Sequence, residues 1–496
     1  MATLVADRAR IKHPDRLFIG GEWVEPSSRA TIDVISAATE EVYITVAEAR
    51  AEDVEKAVAS ARRAFDEGPW PRMTPKERAG FLIKIAERLE VRWPQIADIW
   101  STEMGFVRLV SGMMGPFVGG TYGYYASLAD SFAFEEPRPS EFGMGASLIV
   151  REPVGVVAAI VPWNAPPILA AQKVAPALLA GCTIVLKASP EAPGTLYQLA
   201  EVMEEVGLPE GVFNFLTADR DVSELLVRNP GIDKVAFTGS SAAGKRIASI
   251  CGERIARYTL ELGGKSAALV LDDYDVGEAA AAFAASTPMM TGQVCAALTR
   301  VIVSRSRHDQ FVDALSAAFQ ALPVGDPFQE GIGMGPLATE RQRDRVEHYI
   351  ALGKTEGARI ATGGGRPAQL NRGFFIEPTV FANVDNNMTV AREEIFGPVV
   401  SVIPADDDAH ALKIANDSPF GLGGAVFTND VERAYRVSRG LRAGWINQNG
   451  MRGDPTMPFG GFKQSGYGRE GGVDGLLPYL EAKSVLLAGV PRHLAG

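Results

Sequence analysis

Only three cysteines occur in the 496 residues, at 182, 251 and 295, so no disulfide framework is available. Cys295 stands apart from the others: it sits in Gly292-Gln293-Val294-Cys295-Ala296-Ala297, among small residues that follow an Ala-rich helical run. A thiol displayed in that way can add to an electrophile and carry a covalent intermediate. The competing role is that of a small buried hydrophobe, the commoner fate of a lone cysteine. Cys182, in Gly-Cys-Thr-Ile-Val-Leu, and Cys251, at the end of a helical pattern, fit that second role. A carboxylate follows the same logic: Glu261 opens Glu261-Leu-Gly-Gly-Lys265 at the end of an extended run, as a general base or as a solvated strand end. A third element is Gly239-Ser-Ser-Ala-Ala-Gly244-Lys245, between a strand and a helix, where free helical N–H groups suit a phosphate. It lacks the Gly-x-Gly of the dinucleotide fingerprint, and Lys245 is followed by Arg246 where a Walker A loop needs Ser or Thr. No metal site is expected, because the histidines at 13, 308, 348, 410 and 493 show no ligand spacing.

These groups need a scaffold to bring them together. From 152 the pattern is rhythmic, with strands over 154–161 and 183–187, helices over 166–180 and about 194–206, and a third strand over 234–238. A second run follows Lys265, with strands over 266–271 and 300–304 and helices over 276–288 and 308–321. Strands alternating with helices predict a parallel α/β sheet. The first 150 residues read as short hairpin strands over 17–46, then helices over 52–66 and from Thr74-Pro75-Lys76-Glu77, a capping-box start. A long helical pattern over about 97–126 places Met113, Phe117 and Tyr124 on one face, a core stripe or a pocket wall, with Pro116 a reason for a break. Between 127 and 149, Pro137, Pro139, Gly143 and Gly145 interrupt the chain before Ala-Ser-Leu-Ile-Val-Arg resumes an extended pattern.

Length predicts two or three domains. A formal net charge of −11 without a Lys/Arg run argues against a nucleic-acid partner. The N-terminus lacks the apolar core of a secretory signal, and no stretch reaches the apolar length of a membrane span, so a cytoplasmic protein is expected.

Six motifs then occur in one order: Pro162-Trp163-Asn164, Phe237-Thr-Gly-Ser240, Glu261-Leu-Gly-Gly-Lys265, Gly292-Gln-Val-Cys295, Glu393-Glu-Ile-Phe-Gly-Pro398 and Pro458-Phe-Gly-Gly461. In these the chain resembles the NAD(P)-dependent aldehyde dehydrogenase superfamily over almost its whole length. The resemblance implies an α/β fold with a Rossmann-type dinucleotide-binding domain (1–126 and 150–261), an α/β catalytic domain (262–465) and a small bridging β arm (127–149 and 466–496). It implies Cys295 as nucleophile, the Asn164 amide and Cys295 N–H as oxyanion donors, and Glu261 as the base for thioester hydrolysis. Lys173 and Glu470 match positions that support proton movement. Cofactor contacts are expected from Pro162, Trp163, Lys187, Ser189, Gly239, Ser240, Gly244, Leu262, Gln342, Glu394 and Phe396, and a homodimer or homotetramer is the expected assembly.

Two departures from the family pattern bear on specificity. Lys187 begins the family's Lys-x-x-Glu pattern, but position 190 is proline and the carboxylate, Glu191, comes one residue later. That carboxylate ordinarily holds the adenosine ribose and repels a 2′-phosphate. No arginine adjoins Pro190 in the sequence, so NAD is expected, with NADP less excluded than usual. Secondly, Ala165 and Gln172 stand where the family often has an aromatic residue and a tryptophan. With Met113, Phe117, Leu169, Val294, Ala296 and Phe459 as walls, a roomy apolar pocket for an aliphatic, terpenoid or aromatic aldehyde is expected, unless Arg452 points inward. The alternatives are a CoA-acylating relative, which typically lacks the Glu261 carboxylate, and a non-catalytic descendant, which would have lost Cys295, Asn164 or Glu261.

Overall fold

The computed structural model describes residues 10–138 and 145–491. The first nine residues, which bear on the secretory-signal expectation, and the arm tip with Pro139 and Gly143 lie outside them. An eight-stranded sheet runs in the order Gly466–Tyr467, Arg257–Glu261, Lys234–Thr238, Val156–Ile160, Thr183–Ala188, Phe213–Thr217, Leu17–Ile19, Glu22–Val24. The strands from Arg257–Glu261 to Phe213–Thr217 are parallel, and the flanking short strands antiparallel. Val156–Ile160, Thr183–Ala188, Phe213–Thr217 and Lys234–Thr238 are buried at every position, which follows from helices covering both faces of a Rossmann-type sheet. Pro166–Ala180 and Gly194–Glu205 contribute to one core, and Ala51–Asp66, Arg220–Arg228 and Ser241–Glu253 to another.

A seven-stranded sheet forms the second α/β layer, in the order Arg359–Thr362, Thr379–Ala382, Val399–Ala405, Leu298–Ser304, Ser266–Val270, Gly423–Phe427, Trp445–Gln448. Only its edge strand Arg359–Thr362 is antiparallel. Ser266 pairs with Leu298 at the start of two neighbouring strands, so the turn after Glu261 and the loop carrying Cys295 enter this sheet side by side. A three-stranded antiparallel arm joins Leu480–Leu487, Ala146–Pro153 and Glu135–Arg138. Among the described residues no helix is long and apolar enough to cross a membrane.

Three sequence expectations change. Lys234–Thr238 is not the third strand of its run, because Phe213–Thr217 and the helix Arg220–Arg228 come between; a five-residue apolar run is too short for periodicity to single out. The helix expected over 97–126 is three: Pro75–Met104, Arg108–Met113 and Gly115–Ser131. The break comes at left-handed Gly105, a φ of 76° that ends a helix without strain. Finally, residues 127–131 continue the last of these helices and Gly466–Tyr467 pairs with Arg257–Glu261, so the arm's sheet begins at Glu135 and resumes only at Leu480.

Candidate active site

The Cys295 loop is held from below by its own neighbours. Met290 and Thr291 adopt left-handed backbone, both at φ 53°, a costly conformation for residues with side chains. Thr291 Oγ1 is fixed by donating to the Gly335 and Pro336 carbonyls, each at 3.0 Å. Fully buried Gln293 donates to the Met290 carbonyl at 3.0 Å and accepts from the Ala338 N–H at 3.0 Å. A side chain on Gly264 would lie 2.4 Å from the Cys295 carbonyl, so glycine is required where the two chains meet. Cys295 is left half-buried, whereas Cys182 and Cys251 are buried. Burial, Glu394 and Glu261 push its thiol up to about 12, against the pull of the Ala296 and Cys295 N–H groups. At neutral pH it is therefore a thiol that requires activation.

Asn164 follows the strand Val156–Ile160, its carbonyl pinned by the Trp100 indole N–H at 3.0 Å. Its side-chain amide donates to the Gln293 carbonyl at 3.0 Å, which sets it against the cysteine loop. Glu261, near enough to raise the Cys295 thiol, is the last residue of its strand and 2% exposed, and among the described residues neither of its carboxyl oxygens is hydrogen-bonded. Burial and the nearby Glu470 hold its carboxyl well above the usual range, opposed by Lys173 and Arg469. Lys173 donates to Glu470 and to Thr238 Oγ1, both at 2.6 Å, and the ion pair is almost wholly enclosed. Glu470 is placed by backbone pairing with Phe459.

The dinucleotide-side residues divide into groups. Pro162, Lys187, Ser189, Pro190, Gly239 and Ser240 line a cleft of about 540 Å³ at the carboxyl ends of the parallel strands, closed by the N-terminus of the helix Ser241–Glu253. The small residues Gly239, Ala242 and Ala243 leave that helix end open to a phosphate, so the cleft fits a dinucleotide. Burial lowers the Lys187 ammonium to about 8, opposed by Glu191 and Asp219. Gly244 and Leu262 pack on each other instead of lining the cleft: a Cβ on Gly244 would lie 2.5 Å from Leu262. A second group lies toward Cys295. Trp163 meets the Phe396 ring edge-on at 5.5 Å. Gln342 donates to the Phe396 carbonyl at 2.6 Å and Arg345 to that of Glu394 at 2.6 Å, so the helix Glu340–Thr355 carries the 393–397 loop. Glu394 accepts from the Gly264 N–H at 3.0 Å, and burial raises it to about 7.

Of the expected wall residues, Leu169 and Val294 share one apolar cluster, and Phe459 packs against Trp445 at 5.7 Å. Phe117 approaches Gly453. Ala296 is buried at 3% exposure, and Met113, the last residue of the helix Arg108–Met113, is 66% exposed. Arg452 is exposed, with its backbone N–H on Asn447. The motifs themselves did not reveal the supporting residues Trp100, Gln293 and Thr238 or the cleft residues Asp219, Arg220 and Arg341. Gln293 and Thr238 had a signal, each as a polar residue inside one of the six motifs.

Two α/β sheets with a thiol, an amide and an enclosed carboxyl where the chain passes between them define a class. Residues 23–485 match the model of the aldehyde dehydrogenase family, and the chain belongs to that family. Among its relatives, a geranial dehydrogenase of Castellaniella defragrans is 43% identical over 95% of this chain and 98% of its own. A peroxisomal aminoaldehyde dehydrogenase of Malus domestica is 40% identical, covering 96% of each. Among solved structures, a Mycobacterium tuberculosis aldehyde dehydrogenase complexed with NAD+ superposes with a TM-score of 0.93 at 47% identity, covering 95% of this chain and 98% of that one. A variant of aldehyde dehydrogenase C from Pseudomonas syringae, in complex with NAD+ and octanal, gives 0.92 at 38% identity, covering 96% and 97%.

Proposed function

We propose that this enzyme uses NAD to oxidise an apolar aldehyde to its carboxylic acid, through a thioester on Cys295 hydrolysed by water that Glu261 activates. The supporting observation is the convergence of Cys295, Asn164 and Glu261 on one junction, with Glu261 backed by the Lys173–Glu470 pair. Cys295 Sγ adds to the carbonyl carbon, and its proton passes to water, directly or by way of Glu261, which gives it up to solvent before the hydrolytic step. The developing oxyanion meets the Asn164 amide and the Cys295 N–H. NAD, when bound, accepts the hydride; its solved relatives were crystallised with NAD+. Pro162, Ser240 and the helix end behind it would hold the pyrophosphate, Lys187 and Ser189 the adenosine side, and Glu394 with Phe396, which Trp163 meets edge-on, the nicotinamide side. Glu261 then takes a proton from water as the oxygen attacks the thioester, and Sγ departs. Lys173 and Glu470 hold that proton's onward partners.

The apolar side chains of Phe117, Leu169, Val294 and Phe459, with Arg452 exposed, support an aliphatic, terpenoid or aromatic substrate. The geranial- and octanal-binding relatives agree with that, and the aminoaldehyde relative supplies the contrast. Among the described residues the arm strand Leu480–Leu487 pairs on one edge only and exposes Leu486, which suits assembly with a second copy. The test is turnover of geranial, octanal and an aminoaldehyde with NAD+ and no CoA, in wild type and Cys295→Ala. Free acid from geranial or octanal, absent in the variant, is the expected result. A CoA requirement, activity in Cys295→Ala or a preference for the aminoaldehyde overturns the corresponding part.

A further inference from the structure

Arg341 lies 151 positions beyond Pro190 in the sequence, yet the fold brings it to the same cleft. Its guanidinium meets Glu191 Oε1 at 2.6 Å, while Ser189 Oγ donates to Glu191 Oε2. The carboxylate displaced from position 190 is thus retained in the cleft wall, in contact with an arginine from the helix Glu340–Thr355. That helix is fastened to the 393–397 loop by Gln342 and Arg345, so Arg341 spans the cleft from the catalytic layer to the dinucleotide layer. The position is an unusual one for a cation. Arg341 lies in the first helical turn, where the macrodipole disfavours positive charge, beside the Thr339 cap. Its side chain is 70% exposed against 19% for Glu191, so the guanidinium can leave the carboxylate while the carboxylate stays fixed.

Resting on the reading of this cleft as the dinucleotide site, we propose that Glu191, rather than any group at 190, accepts the adenosine ribose hydroxyls, and that Arg341 sets how well a 2′-phosphate is tolerated. With a 2′-hydroxyl present, Arg341 remains on Glu191, and the lone pairs of both carboxylate oxygens left free by Arg341 and Ser189 take the ribose. With a 2′-phosphate present, Glu191 repels it and Arg341 turns from the carboxylate to the phosphate. An exposed ion pair is weak, and a guanidinium binds phosphate through paired N–H donors, so the exchange costs little. Arg341 is a specificity-determining residue in this arrangement, and the chain accepts NADP because of it.

Calorimetric titration with 5′-AMP, adenosine 2′,5′-bisphosphate, NAD+ and NADP+ tests this without any aldehyde. Arg341→Ala is expected to weaken the bisphosphate and NADP+ about tenfold or more, and 5′-AMP and NAD+ less than about threefold, the scale of losing one charge-assisted contact. Arg341→Lys, which keeps the charge but not the fork, falls between. Glu191→Gln is expected to shift preference toward the 2′-phosphorylated ligands by about tenfold, by removing one like charge. If Arg341→Ala leaves the ratio of NADP+ to NAD+ affinity unchanged while both still bind, the assignment of Arg341 fails and the dinucleotide reading stands. If none of the four ligands binds wild type, both fail.

Discussion

Lys173→Met removes one half of the most enclosed ion pair in the site. The pair is 2.6 Å long with side chains 0% and 3% exposed, and among the described residues Glu470 Oε2 has no hydrogen-bond partner. Deleting the ammonium leaves the Glu470 carboxylate buried beside Glu261, whose carboxyl Glu470 already raises. Breaking such a pair from one side costs about 3–5 kcal/mol when the remaining charge stays ionised. The strands that carry the site bear the loss, since Lys173 also holds Thr238. In the double variant Lys173→Met/Glu470→Gln no stranded charge remains, so most of the cost should return, for a coupling of about 2–4 kcal/mol. Native-state hydrogen exchange of peptides covering 234–261 and 459–470 reads the local opening free energy directly. Lys173→Met should open more readily, the double variant nearly as wild type. Deacylation should move to higher pH in Lys173→Met, since Lys173 is the first group opposing the rise of Glu261. A single variant as protected as wild type, or a double variant as open as the single, refutes the reasoning.

Asn164→Ala should lower turnover by about 100-fold or more, the usual loss for one oxyanion donor, in steady-state assays with unchanged NAD+ binding. Glu261→Gln should give a burst of about one reduced cofactor per competent site and a thioester on Cys295 visible by intact-protein mass, because a carboxamide cannot take water's proton. If Glu261 also activates Cys295, the burst itself slows and recovers at high pH as more thiol ionises. In stability the sign is opposite to that of a salt-bridged acid. The folded carboxyl of Glu261 is raised, so wild type binds more protons when folded and loses stability as pH climbs from the ordinary carboxylate range through that raised value. Glu261→Gln should therefore gain on wild type in thermal melts as pH rises over that window. Gly460→Ala places a Cβ 2.5 Å from Glu261 Oε1 at φ 150°, and should depress deacylation while Cys295 alkylation by iodoacetamide proceeds as in wild type.

The local grammar of the chain was legible without a structure. Thr74, Pro75 and Glu77 form the capping box their order predicts, with Glu77 N–H on Thr74 Oγ1 at 3.2 Å and Thr74 N–H on Glu77 at 2.7 Å. The helix 166–180, the strand 183–187 and the family-wide motifs were readable because each depends on residues a few positions apart, through periodicity, caps and turns. The order of the sheets was not, nor was the strand Phe213–Thr217, whose place is decided by pairing with Thr183–Ala188 and not by its own five residues. The same holds inside the site. Residue pattern singled out Cys295 and Glu261 and the family resemblance added Asn164, Lys173 and Glu470, while the fold decided that Gln293 links the amide to the cysteine loop and that Lys173 bonds Glu470 across 297 positions. Arg341 is the sharpest case: nothing beside Pro190 announces it, because it reaches Glu191 by the packing of one domain's helix against the other's loop. Chain order limits what neighbours can do, but electrostatic and hydrogen-bond partners in a buried site are chosen by distance in space, which only the folded layers set.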